Sequence, residues 1–217
     1  MKITYWGHSC FCIENKDGVQ IITDPYTKVG YELPQGIKAD IALISHGHFD
    51  HNYIAALENT PVVLNQVGEY LVKGISITGE HSWHDSKQGT LRGANVIFKF
   101  AVDGLTVCHF GDLGEGYSED IAKKLAGADV WLLPIGGTYT IDAVQALEYI
   151  QTMKPKAVIP MHYRPQDGAL DIAYSDVFLS LVKEYPMISC MEGEFILEKD
   201  TLKEGLTQII YMERKND

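Results

Sequence analysis

The sequence predicts an α+β fold in which two sheets pack face to face with helices outside. Short strand patterns come first, strand and helix patterns then alternate, and strands return at the end. That order suits two packed sheets. At 46% hydrophobic and 22% charged residues, the 217-residue chain can bury a sizeable core and gives no sign of global disorder. No repeat, low-complexity segment or linker interrupts it, so residues 1–217 are expected to form a single domain.

Residues 2–6, 10–14 and 19–23 read as three short strands, with Lys16-Asp17-Gly18 turning between the last two and Asp24-Pro25 ending the third. Residues 26–38 contain Gly30, Pro34 and Gly36 and read as a surface loop. Residues 41–45, apolar up to Ser45, read as a buried strand, followed by a helix over 51–58. Pro61 to Leu64 reads as a strand, Gln66 to Val72 as a short helix, and Ile75 to Thr78 as a strand running toward His81 and His84. Residues 85–93 read as a loop. Asn95–Val102 and Leu105–Phe110 form a hairpin through the Asp103-Gly104 turn. Ser118 is placed to cap a helix reaching about Ala126. Strands at 130–133 and 157–161 flank a helix over 141–153 that must stop before Pro155. A helix near 173–184 and strands near 193–198 and 207–212 complete the chain.

The chemistry concentrates where the buried strand Ile41–Ser45 ends. His46, His48, Asp50 and His51 follow within six residues. In an extended segment, residues two apart point the same way, so His46 and His48 can reach one point. Asp50 and His51 are adjacent and can serve another. Imidazole and carboxylate together suit zinc, iron, manganese or nickel. His84, Asp112 and His162 each stand where a strand pattern runs out, the place where sheets tend to present their chemistry.

His-x-His-x-Asp-His after a buried strand resembles the signature of the metallo-β-lactamase fold hydrolases. The resemblance spans nearly the whole chain and implies a four-layer αββα sandwich. Cys108-His109-Phe110-Gly111-Asp112 resembles that family's Gly-Asp loop. Pro160-Met161-His162-Tyr163 resembles the last histidine motif of its L-ascorbate-6-phosphate lactonase-like branch. Gly7-His8-Ser9, the stretch 134–140, and His84-Asp85 followed by Arg92-Gly93 match that branch as well. The resemblance implies His46, His48 and His84 as ligands of one metal, Asp50, His51 and His162 as ligands of a second, and Asp112 as the bridge. A ligand at His81 or at His84 would be chemically adequate; the His-Asp pair followed by Arg-Gly favours His84. His8 and His109 lie in apolar surroundings and are expected to orient ligands rather than to be ligands. Asp24 would hold the backbone of the histidine loop.

These residues lead to an expected metal-dependent hydrolase of lactonase or esterase type. Water activated at a dinuclear site, with zinc first among the candidate ions and manganese, nickel or iron as alternatives, would cleave an ester, lactone or phosphoester bond. Asp50 is the expected catalytic group, taking up and returning a proton. Arg164 lies two residues after His162, and Arg92 eight after His84. The Gly136–Thr140 loop, with Thr138 and Tyr139, opens a helix whose N–H groups favour an anion. Together they point to a small anionic substrate. The formal net charge of −11 argues against nucleic acid, since neutralising phosphates needs a basic face. That weighs against a nuclease or phosphodiesterase of the same fold; a metal-binding protein without catalysis is the alternative of another class.

Cys10, Cys12, Cys108 and Cys190 form no Cys-x-x-Cys pair and are expected as reduced thiols acting as small hydrophobes. The first residues enter a strand pattern without a signal-peptide apolar region, and no apolar run reaches about 18 residues. A cytoplasmic protein is therefore expected. Its partner would be a small-molecule substrate, with neither nucleic acid nor membrane involved and self-association left open.

Overall fold

The computed structural model describes residues 1–216. The first sheet begins with β1 (Lys2–Gly7), β2 (Cys10–Glu14) and β3 (Gln20–Thr23), paired antiparallel. It continues with β4 (Ile41–Leu43) and β5 (Val62–Leu64), both parallel to β3. Side chains alternate across it. Phe11, Ile13, Ile21, Ile41 and Leu43 face the main core between the sheets. Cys10, Ile22, Ala42 and Ile44 face outward into a second cluster closed by Tyr26, Val29, Ile37 and Leu57. The layer outside this sheet is therefore mainly the coil over residues 24–40 rather than a helix.

The second sheet opens with an antiparallel meander of β6 (Gly68–Val72), β7 (Ile75–Trp83), β8 (Ala94–Val102) and β9 (Leu105–His109). It becomes parallel through β10 (Val130–Pro134) and β11 (Ala157–Met161). After β12 (Met187–Cys190), β13 (Glu194–Ile196) crosses back to pair with β1, and β14 (Gln208–Met212) inserts between β11 and β12. Every residue of β10 and β11 is buried, as befits parallel strands covered on both faces. The helices are α1 (Glu119–Leu125), α2 (Ala143–Met153) and α3 (Ser175–Leu181), with α2 packed on α3. Tyr149 of α2 and Trp131 of β10 enclose Phe110 at centroid distances of 6.3 and 5.1 Å. No helix among the described residues is long and apolar enough to cross a membrane.

Two expected elements differ, and one strand is additional. The helix expected over 51–58 is a single 3-10 turn, Ile54–Ala56. Its neighbours are claimed by distant backbone: Tyr53 N–H donates to Pro25 and Glu58 N–H to Ile37. The helix expected over 66–72 is the strand β6. Its alternation of Glu69 and Leu71 outward with Tyr70 and Val72 toward the core fits period two, and β7 supplies the partner. The strand β12 was not expected. Ser118 does cap α1, accepting from Ile121 N–H at 3.2 Å, a contact typically worth about 1 kcal/mol.

One ionic cluster ties both ends of the chain to the first sheet. Glu194 receives Lys2 at 2.8 Å and Lys215 at 2.7 Å. Hydrogen bonds from these two lysines push the Glu194 carboxyl down to about 2. Its unfolded value is about 4.3, so this contribution to stability is present above that value and is lost as pH falls toward 2. Wild type is expected to melt higher than Glu194→Gln at pH 7, with the gap shrinking between pH 5 and 3. A constant gap across that range in calorimetry would refute the assignment.

Candidate metal centre

The histidine loop is fixed from below by Asp24. Ser45 donates its N–H to Asp24 Oδ1 at 2.7 Å and its hydroxyl to Oδ2 at 2.6 Å. Ser45 also accepts the Val96 N–H of the second sheet at 2.9 Å, so the end of β4 is pinned to both sheets. From this anchor the chain turns through residues 46–51, with His48 exposed, His46 half-buried, and Asp50 and His51 buried.

The second sheet brings the other donors. His84 follows β7, and the loop after it is folded around Asp85, whose carboxylate accepts the N–H groups of Lys87, Gly89, Leu91 and Arg92. Asp112 follows β9; its N–H donates to Asn95 Oδ1 at 2.9 Å, and Asn95 in turn donates to Ser82 and Phe110. Gly111 has φ +54°, and a Cβ there would collide with Asn95 and Ser45. His162 follows β11, and a Cβ on Gly136 would collide with its carbonyl oxygen.

These strand ends converge on the Asp112 carboxylate. Its Oδ2 lies 3.2 Å from His84 Nε2, 3.3 Å from His162 Nε2 and 3.9 Å from His46 Nε2. Its Oδ1 lies 3.2 Å from His51 Nε2. His46, His48 and His84 form one group of donors within 4.8 Å of one another, and His8, Asp50, His51 and His162 form another. Between them lies a third, overlapping group of His46, His51 and Asp112.

In His46, His51 and His84 the other ring nitrogen is spoken for. His51 Nδ1 donates to Asp24 Oδ2 at 2.8 Å and His84 Nδ1 to the Tyr139 carbonyl at 3.0 Å. The Ser45 hydroxyl gives its proton to Asp24, so His46 Nδ1, 2.9 Å away, donates to it. Each ring thus turns Nε2 inward, the arrangement metal-binding histidines usually show. Burial, then the neighbouring His51, push His46 down to about 3. Burial disfavours ionised Asp112, yet His162 and His51 hold its carboxyl well below the usual range. Burial opposes a charged His51 as well, but Asp112 and Asp24 on either side raise its pKa.

The residues fit a metal. His46 Nε2, Asp112 Oδ1 and both ring nitrogens of His162 are buried without a hydrogen-bond partner. Orphaned polar atoms of this kind are costly unless something pairs with them, and divalent cations held by imidazole and carboxylate would do so.

The β-lactamase superfamily domain matches residues 2–162. The chain is 31% identical to a UPF0173 metal-dependent hydrolase of Pelotomaculum thermopropionicum, across 75% of this chain and 84% of that one. It is also 31% identical to a crystallised protein from Thermotoga maritima, assigned by inference as a Zn-dependent hydrolase of the metallo-β-lactamase superfamily. That match has a TM-score of 0.77 over 98% and 99% of the two chains. The chain belongs to the UPF0173 metal-dependent hydrolase family of the metallo-β-lactamase superfamily. Igni18, a metallo hydrolase of Ignicoccus hospitalis, shares the fold at 24% identity and a TM-score of 0.68.

In this UPF0173 hydrolase, His84 rather than His81 joins the cluster. The His81 ring packs edge-on against Trp83 at 4.3 Å on β7, and its carbonyl accepts Lys124. His109 stays outside, donating Nε2–H to the Ser9 carbonyl and accepting Gly111 N–H on Nδ1, which steadies the Gly-Asp turn. His8, expected only to orient ligands, reaches into the cluster itself. Sequence reasoning missed Ser45, Asn95 and Glu115, the last accepting Trp83 N–H at 2.7 Å. Asn95 carried a signal, since it stands at the start of a strand whose only other polar residue is Lys99.

The expected substrate-binding residues divide. Arg92 lies 5.1 Å over the Tyr139 ring, beside His84, and Thr138 is exposed with φ +57°. Arg164 instead bonds the Gly168 carbonyl, lies 5.5 Å over Tyr174, and lines a cleft of about 790 Å³ with Tyr5, Tyr31 and Arg214. The helix N-terminus does not offer free N–H groups as expected: α2 begins at Ala143, and Asp142 takes the N–H groups of Val144 and Gln145 in a capping box.

Proposed function

We propose that this metal-dependent hydrolase holds two divalent cations and cleaves an ester, lactone or phosphoester bond of a small anionic substrate. The observation that carries it is the convergence of four imidazoles from three strand ends on one buried carboxylate, Asp112, at a fourth. His46, His48 and His84 serve the first cation, Asp50, His51 and His162 the second, and Asp112 both. Zinc suits this set, as do manganese, nickel and iron. Bound there, the ions supply Lewis acidity and an acidified water.

The chain's own residues do the rest. Burial raises the Asp50 pKa, but the hydrogen bond from His8 and the charge of His51 outweigh it and hold the carboxyl well below its ordinary range. It is therefore an ionised carboxylate at neutral pH, able to hold a cation and with a free oxygen to accept a proton. Arg92 and Tyr139 stand beside His84, where an anionic group can be met by a guanidinium. The acidic charge, −11, favours a small molecule over nucleic acid. The motifs shared with the L-ascorbate-6-phosphate lactonase-like branch favour a lactone.

The test compares metal-loaded and chelator-stripped protein on lactones, esters and phosphodiesters. Hydrolysis of a small anionic lactone or ester by the loaded form, lost on stripping and restored by a divalent ion, is expected. Hydrolysis of none of these substrates by protein carrying its metal would overturn the reading, and preference for RNA would replace it with a nuclease.

A further inference from the structure

His8 lies in the turn between β1 and β2 of the first sheet, far in sequence from the histidine motif. We propose that it is a direct metal ligand, a further side-chain donor that joins Asp50, His51, His162 and the shared Asp112 at the second cation position. The proposal rests on the metal-dependent reading above and deepens it.

Distances carry the argument. His8 Nε2 lies 3.2 Å from His51 Nε2 and 3.4 Å from Asp50 Oδ2, and these last two atoms are 3.7 Å apart. Two donors bound to one cation at about 2.0–2.2 Å and at a tetrahedral angle stand about 3.3–3.6 Å apart. The triangle therefore has edges close to those of a face of a coordination tetrahedron. A His162 ring nitrogen lies within 4.8 Å of a donor atom of each of these three residues.

A hydrogen bond alone could join His8 to His51 or to Asp50. It would leave the fully buried His162 with Nδ1 unpaired and Nε2 facing the Asp112 carboxylate at 3.3 Å without a hydrogen bond. A cation shared by the four side chains accounts for both facts at once.

The backbone holds His8 in place. It has φ +53°, a left-handed conformation that is unfavourable for a histidine. Its carbonyl accepts the Tyr5 hydroxyl at 3.0 Å and His162 N–H at 2.8 Å, which fastens the end of β1 beside the end of β11. The His8 ring sits 4.3 Å from that of His162 and 4.9 Å from that of His51.

The two positions then differ in kind. The second is surrounded by protein donors, with His8, His51 and His162 at 0–1% exposure, whereas the first includes the exposed His48. Closed sites hold their metal, and open sites leave room for water and substrate. The second position should fill first and more tightly.

Cobalt titration of the stripped protein, followed by calorimetry and visible absorption, tests this. Wild type is expected to bind two ions in two steps. His8→Ala should weaken the tighter step about tenfold or more, as loss of a donor at least matches loss of a supporting partner. It should leave the weaker step unchanged and alter the cobalt spectrum of the tighter one, with added imidazole restoring that spectrum. His8→Asn tolerates the left-handed backbone but is too short to reach the ion, and it should behave as alanine does, so a folding failure of one variant leaves the other decisive. An unchanged tighter step, or weaker binding with an unchanged spectrum, would overturn the proposal and leave His8 as a partner of Asp50. Wild type that binds no cation would sink the metal reading itself, a separate outcome.

Discussion

His84→Ala is expected to lose one of two bound ions, and His81→Ala to lose none. The two histidines are three residues apart, and either could ligate a metal on chemical grounds. Their surroundings separate them. His84 Nε2 stands 3.2 Å from Asp112 Oδ2, and its ring lies 4.6 Å from that of His46. Its Nδ1–H is taken by the Tyr139 carbonyl, so the inward nitrogen keeps a free lone pair. His81 sits inside β7, paired across from Val96, with its ring turned onto Trp83. Even an outer partner of a ligand changes metal affinity by about 10–100-fold, so loss of His84 should exceed that at the first position. The ring is buried and also packs 5.0 Å from that of His48, so its removal should cost the metal-free protein some stability too, and the ion count is the deciding readout. Elemental analysis of both variants, purified without chelator, checks the stoichiometry. An intact pair of ions in His84→Ala, or a missing ion in His81→Ala, would reverse the assignment.

That His84 could be preferred from sequence at all reflects what was legible. Ligand residues at strand ends are a chemical pattern: His46, His48, Asp50, His51, Asp112 and His162 stand out by type and by the apolar runs that precede them. Long apolar strands such as β8 to β11 announce themselves in the same way, because burial on one or both faces writes the pattern. Elements whose conformation depends on a remote partner did not. β6 is a short edge strand held by β7, and β12 is held only by β14. The turn at Ile54–Ala56 is cut short by backbone partners at Pro25 and Ile37. The role of His8 was hidden for the same reason, since 38 residues separate it from His46 and only the pairing of β1 through β4 brings them together. The capped start of α2 turned on Asp142, a side chain whose local bonds remove donors that the loop sequence promised.

Asp24→Asn is expected to keep the fold and lose the second ion, while Asp24→Ala should compromise both. Asp24 is fully buried and accepts three protons, from Ser45 N–H, from the Ser45 hydroxyl and from His51 Nδ1. Burial opposes its ionisation, but His109 and His51 lower its pKa on balance, so the carboxylate is charged at neutral pH. Alanine leaves those donors unpaired in a closed space. Removing one partner from a buried charged pair typically destabilises by about 3–5 kcal/mol, and thermal unfolding of metal-free protein should show a loss of that order. Asparagine has nearly the same shape and can still accept the Ser45 N–H, so its unfolding loss should be smaller. Its amide N–H₂, turned toward His51, cannot accept the Nδ1 proton. The ring must then take the tautomer that carries hydrogen on Nε2, the nitrogen facing Asp112 and Asp50. A protonated nitrogen has no lone pair for a metal. Affinity at the second position should therefore fall by about 10–100-fold, while the first position, built on His46, His48 and His84, keeps its ion. Calorimetric metal titration separates the two steps. Wild-type affinity at both positions in Asp24→Asn would show that the histidine needs no help in choosing its tautomer.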